Sequence, residues 1–326
     1  MKSITQRTLA EHLGINVSSV SRALKGDQRI SPLLRKRVER AAEELKYRPD
    51  PAVSALANRR WEKDRRKVKL TLAFIADHAI AVRPGYDELK RAAESMGYGI
   101  DPIEIKQGTS HRPILRILQT RNVAGVIFHV DSTLSVALRE ISANYPAVNW
   151  NCRVDHPSCP GVMRDAYHRV SDCCEKLVAR EVERALLVIP GTSRELNELT
   201  RQMMAAWRFF QAGRSGWMDP VFYHDDDWEV VAAAVREARP EVLVVGSVEV
   251  VQGLNSLGVG LGKELPFVCM DVPPDASCSG IQSTFPWVSR YAVDLIDRMI
   301  ARRLTGKEIA WIQIEVRGEW SDGDSF

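Results

Sequence analysis

Apolar positions near the start of the chain recur at helical spacing. Over TQRTLAEHLGINVSSVSRALKG, residues 5–26, Leu9, Ala10 and Leu13 face one side of a first short helix. Gly14 supplies the tight turn, because a residue without a Cβ takes the positive φ of a sharp reversal. Asn16 is an N-cap for a second helix, in which Val20 and Leu24 form the buried stripe. The opposite face offers Val17, Ser18, Ser21, Arg22 and Lys25, small, polar or cationic groups suited to base edges and phosphates. Ser31 and Pro32 open a third helix with Leu34, Val38, Ala41, Ala42 and Leu45 on its apolar face; it stops near Lys46, ahead of Pro49. The pattern is a helix-turn-helix that presents its second helix to a DNA major groove. The alternative is a small helical subdomain that touches nothing.

From Val68 the rhythm changes to apolar strands alternating with amphipathic helices. Strands are expected at 69–76, 99–105, 123–129 and 147–151, with helices at 85–96, 112–121 and 134–143 between them. A second run begins near Val162, with strands at 184–189, 220–223, 242–245, 266–270 and 311–317. Its helices are expected at 167–178, 194–212, 228–238, 250–257 and 288–303. Two such sets imply two doubly wound parallel α/β lobes, with ligands held at the carboxyl ends of strands in a cleft between them.

Between head and lobes lies RPDPAVSALANRRW, residues 48–61. Asp50 and Pro51 read as an N-cap and N1 proline of a helix of about two turns, too short to persist in water alone. The charged run EKDRRK, 62–67, is a linker.

Charge separates these parts. Residues 1–67 carry 17 Lys and Arg against 8 Asp and Glu, a net +9, whereas 68–326 carry 28 against 34, a net −6. A basic terminal module on an acidic body suits a nucleic-acid binder better than a solvated tail, since the basic segment is patterned like folded helices. The six cysteines lack paired zinc-site spacing and read as reduced packing residues, so no metal and no cofactor is expected. Neither a long apolar run nor an apolar leader is present, which points to a cytoplasmic protein, at the nucleoid and away from membranes. Dinucleotide, P-loop, G-x-S-x-G and H-E-x-x-H motifs are missing, and GVGLG (258–262) is a turn after a helix, so an enzyme is not expected.

TxxxLAxxLGIxxSSVSRALxG over 5–26 and ISPLLRKRVERAAEELKYRPDPAVSALA over 30–57, followed by two α/β lobes, resemble the lactose-repressor (LacI) family of bacterial transcription regulators. The resemblance is dense over the head and looser over 68–326, where the lobes are similar to periplasmic sugar-binding proteins. It implies a head at 1–49, a hinge helix and linker at 50–67, and an effector-binding, dimerising unit at 68–326. The first lobe would take about 68–161 plus 286–310, the second about 162–285 plus 311–326.

By the same resemblance Val17 and Ser18 read bases, Arg22 adds a base or phosphate contact, and Thr5, Asn16, Ser19 and Ser21 touch the backbone. Leu56 falls on the leucine that wedges into the minor groove from both subunits of a homodimer, on a pseudopalindromic operator. For the effector, Arg201 matches an arginine that grips sugar hydroxyls, Asp271 its acidic partner, and Asp165 an aspartate ahead of the second lobe's first helix. The sequence departs from the family elsewhere: Ala166 replaces an Asn, DHAIAVRPGY (77–86) replaces an Asn-Pro-Phe segment, and an Asp near Ser247 and Glu249 is absent. Phe285 and Trp287 stand where a Gln is common. Asp77, His129, Asp131 and Asn151 end first-lobe strands as further cleft candidates. The implied function is a regulator, most simply a repressor, controlled by a small polar ligand such as a sugar. An activator, a non-sugar effector and a transport-type binding protein are the alternatives; the last needs a leader and no DNA-binding head.

Overall fold

The computed structural model describes residues 6–24, 30–45, 47, 70–76, 85–105, 111–130, 135–152, 159–191, 198–223, 227–302, 304–305 and 312–326. Thr5, the 50–67 segment with Leu56, Asp77 and Asp131 lie outside them. The chain divides into two units, Met1–Val68 and Lys69–Phe326.

The head contains α1 (Gln6–Leu13), α2 (Val17–Leu24) and α3 (Pro32–Glu44). Gly14 takes φ +63° after α1, and the Ile15 amide donates back to the Ala10 carbonyl at 3.0 Å, closing the turn. The core is six residues, two from each helix: Leu9, Ala10, Val20, Ala23, Val38 and Ala41. The stripe on α2 therefore runs from Val20 to Ala23, with Leu24 only half-buried. Ser31 caps α3 by accepting from the Leu34 amide at 3.3 Å, with Pro32 at the helix start.

The second unit is built on two six-stranded sheets. The first joins β1 (Leu70–Ala76), β2 (Tyr98–Glu104), β3 (Gly125–His129), β4 (Ala147–Trp150), β5 (Gly161–Arg164) and β11 (Gln313–Val316) in the order β11-β5-β4-β3-β1-β2. All of its pairings are parallel. The second joins β6 (Ala185–Pro190), β7 (Val221–Tyr223), β8 (Val242–Val245), β9 (Phe267–Val272), β10 (Gly280–Gln282) and β12 (Trp320–Ser321) in the order β12-β10-β9-β8-β6-β7. Its edge strand β12 is antiparallel to β10.

Each sheet is covered on both faces, which is why its strands are apolar runs rather than alternations. In β1, Leu72, Phe74 and Ala76 pack toward α4 (Tyr86–Ser95) and α11 (Phe285–Arg302), while Ala73 and Ile75 face the core shared by α5 (His111–Thr120) and α6 (Ser135–Ser142). Trp150 is fully buried and its indole N–H donates to Ser289 Oγ of α11 at 3.1 Å. In the second lobe Leu187 and Ile189 meet α7 (Ala166–Ala179) and α8 (Glu198–Gln211). Leu186 and Val188 meet α9 (Trp228–Ala238) and α10 (Val248–Ser256). Among the described residues no cysteine is in a disulfide, and five of the six are buried. Among the described residues no helix is long and apolar enough to cross a membrane.

The lobe boundaries expected from sequence need correction. Strands β5 and β11, assigned above to the second lobe, belong to the first sheet: Asn149 and Trp150 pair with Gly161 and Val162, and Gln313–Val316 run along Gly161–Arg164. Periodicity reveals a strand but not its neighbour, so the boundary fell one strand early. Strands β10 and β12, of three and two residues, carry too little pattern to be seen. The chain thus crosses between lobes at 164–166, 282–285 and 316–320.

Candidate functional site

The head's second helix turns its polar face outward. Asn16, Val17, Ser18 and Arg22 are exposed, Val17 at 42%, and Ser19 and Ser21 are half-exposed. The Asn16 carbonyl receives the Ser19 and Val20 amides at 2.9 and 3.2 Å, starting α2. An exposed apolar Val17 beside a hydroxyl and a guanidinium can contact a thymine methyl, hydrogen-bonding edges and phosphates. The face is small and rests on the fully buried Val20.

In the second unit a cavity of about 520 Å³ opens where the lobes exchange chain. Gly85, Glu88, Arg164, Phe285 and Pro286 line it from the first lobe; Arg169, Met203, Tyr223, Ser247, Glu249, Met270 and Asp271 line it from the second. Pro190 and Gly246, at the carboxyl ends of β6 and β8, complete the wall. Volume and place are those of a small-molecule site in an α/β fold.

Arg164, the last residue of β5, is its centre. Its Nη1 lies 3.0 Å from Asp271 Oδ2 on β9, an ion pair that bridges the lobes. Its Nε donates to Asn151 Oδ1 at 3.1 Å, and its guanidinium carbon lies 4.1 Å from the centre of the Phe285 ring. Phe285 reaches this place because residue 85 is glycine: at φ +79° a Cβ there would come 2.1 Å from Phe285 Cδ1. Asn151 takes φ +49°, a strained turn for a non-glycine residue that asparagine tolerates best.

Arg169, on the first turn of α7, is buried and donates from Nε and Nη2 to the Met270 carbonyl at 2.8 and 2.6 Å. It thereby braces β9 one residue before Asp271. Burial, and then the charge of Arg169, push the Arg164 guanidinium down to about 9, further than Asp271 pulls it back. Arg164 remains protonated at neutral pH, and Arg169, the second guanidinium of the wall, makes no ion pair among the described residues. Asp271 Oδ1 is buried without a hydrogen-bond donor among the described residues.

Of the residues marked by sequence for the effector, Asp271 and Phe285 line the cavity and the others described do not. Asp165 caps α7, accepting from the His168 amide at 2.9 Å and lying 2.6 Å from His168 Nδ1. Arg201 stands on the outer side of α8, 59% exposed and 3.6 Å from Glu198. His129 joins an aromatic cluster, its Nδ1 2.9 Å from the Trp150 carbonyl and its ring 5.2 Å from that indole. Trp287 is 52% exposed and stacks on Tyr291. Arg164, Arg169 and Met203 were missed. For Arg164 a signal existed: a cation ending the apolar strand GVMR directly before a helix cap has no reason to be buried unless it meets a charge.

Residues 8–50 match the family described as bacterial regulatory proteins, lacI family. No curated protein matches the chain. Among solved structures, the lac repressor dimer bound to operator and the anti-inducer ONPF is similar at 17% identity and TM-score 0.61, covering 99% of each chain. The transcriptional regulator CelR in complex with cellobiose is similar at 17% identity and TM-score 0.60, covering 99% of this chain and 100% of that one. The Cra dual regulator of Pseudomonas putida with fructose 1-phosphate is similar at 13% identity and TM-score 0.60, covering 78% and 98%.

Proposed function

We propose that this LacI-family regulator acts as a repressor whose hold on a pseudopalindromic operator is controlled by a small polar ligand in the cleft between its lobes. The observation that carries the reading is the pairing, in one chain, of a lacI-family head with a two-lobed unit whose cleft is lined by charge from both sides. The structural neighbours support it: one is a dimer on its operator, and two hold a sugar or sugar phosphate.

The DNA contacts are Val17, Ser18 and Arg22 in the major groove, Thr5, Asn16, Ser19 and Ser21 on the backbone, and Leu56 as a minor-groove wedge. A homodimer places two heads on half-sites related by two-fold symmetry. Control runs through the three crossings between lobes. A ligand that favours one lobe angle changes the spacing of the two hinges, and with it operator affinity, by its differential affinity for the two arrangements. The protein works in the cytoplasm and catalyses no reaction.

Footprinting the full chain on DNA upstream of its own operon tests this. A symmetric protected site of about 14–20 bp is expected, by analogy with half-sites one helical turn apart, with affinity falling steeply as salt rises. The absence of salt-sensitive, sequence-specific binding would overturn the reading. Leu56→Ala is expected to weaken the footprint and leave the melting of the lobes unchanged; unaltered operator affinity removes the wedge.

A further inference from the structure

We propose that the ligand of the cleft is an anionic polyol, whose carboxylate or phosphate binds Arg164 while a hydroxyl donates to Asp271, so that it inserts into the ion pair joining the lobes. The proposal rests on the regulator reading and names the ligand class that reading leaves open.

Three observations converge on it. The first is the count of donors. Asn151 takes Nε of Arg164 and Asp271 takes Nη1, which leaves Nη2, a two-proton donor of a residue that lines the cavity, with no acceptor among the described residues. A carboxylate or phosphate matches the edges of a guanidinium through two parallel hydrogen bonds, which a sugar hydroxyl does not. The second is the acceptor opposite. Asp271 Oδ1 is buried and unmatched, and the hydroxyls of a polyol are the donors that would satisfy it once the lobes admit them.

The third is charge. Arg169 is buried and Arg164 nearly so, its side chain 17% exposed, and among the described residues Asp271 is the one carboxylate that forms an ion pair with either. Of the two other acids of the wall, Glu88 pairs with Arg91, and Glu249 is exposed to water in the first turn of α10, where the helix dipole favours it. A neutral sugar would satisfy Asp271 and leave the buried charge of Arg169 without an anion beside it. An anion neutralises it inside a low-dielectric cleft, where the attraction is strong. Met203, Met270 and Pro273 supply the apolar remainder for the carbon face.

Because Arg164 ends a first-lobe strand and Asp271 lies on a second-lobe strand, insertion replaces a direct bridge between lobes by a ligand-mediated one. The ligand's class and its leverage on the lobe angle then have the same origin.

The test is thermal melting of the full chain with D-gluconate, D-glucuronate or D-glucose 6-phosphate, against D-glucose and D-mannitol, at equal millimolar concentration and constant ionic strength. At least one acid or phosphate is expected to raise the midpoint by several degrees when it exceeds its Kd about a hundredfold, with the neutral compounds inert. Carboxylate and phosphate arms separate the two sources of the anion. Arg164→Gln is expected to lose roughly tenfold or more in anion affinity. Since it strands Asp271, the double variant R164Q/D271N keeps a neutral hydrogen-bonded pair and reads the same loss in a protein free of that strain. A shift by the neutral sugars alone, no shift by any of the three anions, or unchanged anion affinity in the double variant each overturns the proposal. A symmetric footprint with failing anions leaves the regulator standing without this ligand class; anion binding without specific DNA binding does the reverse.

Discussion

The head and the cleft solve opposite problems. The head has a core of six small or medium side chains and places its polar face on the outside, where Val17, Ser18 and Arg22 stand exposed. The cleft places its chemistry inside, where Arg164, Arg169 and Asp271 are shielded from water and only partly matched. On the outer surface a polar group costs little when unpaired, so the head can be complete and still reactive. Inside, each unmatched atom carries a desolvation cost, so the cleft is stable only as far as its charges hold one another. On the proposed function, one region would read its partner through exposure, the other through unmet pairing.

That contrast breaks most sharply at Arg164. Replacing it alone by Met leaves the Asp271 carboxylate buried without its cation, which is expected to cost about 3–5 kcal/mol. Replacing both, as R164M/D271L, should return stability to near that of the parent or above it, because the pair's desolvation cost goes with the pair. Urea denaturation of the three proteins measures both; a single variant as stable as the parent would show that water, not Arg164, satisfies Asp271. In the head the matching experiment is Leu9→Ala. It should cost about 2–5 kcal/mol, most of what so small a core holds, abolish specific DNA binding, and leave the lobed unit's transition where it was. A loss of the lobes' melting would contradict the division into separate units. Arg22→Ala touches only the surface: stability should hold within about 0.5 kcal/mol, while operator affinity falls by about 1–3 kcal/mol in gel shifts. Equal loss on every DNA sequence would make Arg22 a phosphate contact rather than a base reader.

Legibility in the sequence follows the same division. The head could be read almost residue by residue, because its periodicity, turn glycine and caps are local: Gly14 has its positive φ and Ser31 its cap. The strands and helices of the lobes were legible too, since runs such as LTLAFIA and ALLVIP report burial on two faces. Sheet membership was not, and β5 and β11 went to the wrong lobe, because pairing is set by contacts between residues far apart in sequence. The cleft was half legible. Asp271 and Phe285 lie at strand and helix ends that point into the cavity, whereas Arg164 and Arg169 emerge only when β5 and α7 are brought against β9. Arg201, expected to grip the ligand, lies with Glu198 on the exposed side of α8.

Asp165 offers the finest test of the contrast, since it lies beside Arg164 and belongs to neither kind of site. The residue is 7% exposed, yet its carboxylate oxygens are taken up by the His168 amide at 2.9 Å and by His168 Nδ1 at 2.6 Å. That is the geometry of a helix N-cap, reinforced by a ring nitrogen from the helix it starts. A cap needs a short side chain with an acceptor oxygen, not a negative charge. Asp165→Ala should therefore cost about 1 kcal/mol, whereas Asp165→Ser should hold stability within a few tenths of that. Anion affinity in the cleft should be the same for the serine variant as for the parent, because Ser keeps α7 seated and with it Arg169 against the Met270 carbonyl. A serine variant that folds with parental stability but loses the ligand would move Asp165 from the scaffold into the binding surface. The two guanidiniums would then have a second carboxylate beside them, and the case for an anionic ligand would weaken with it.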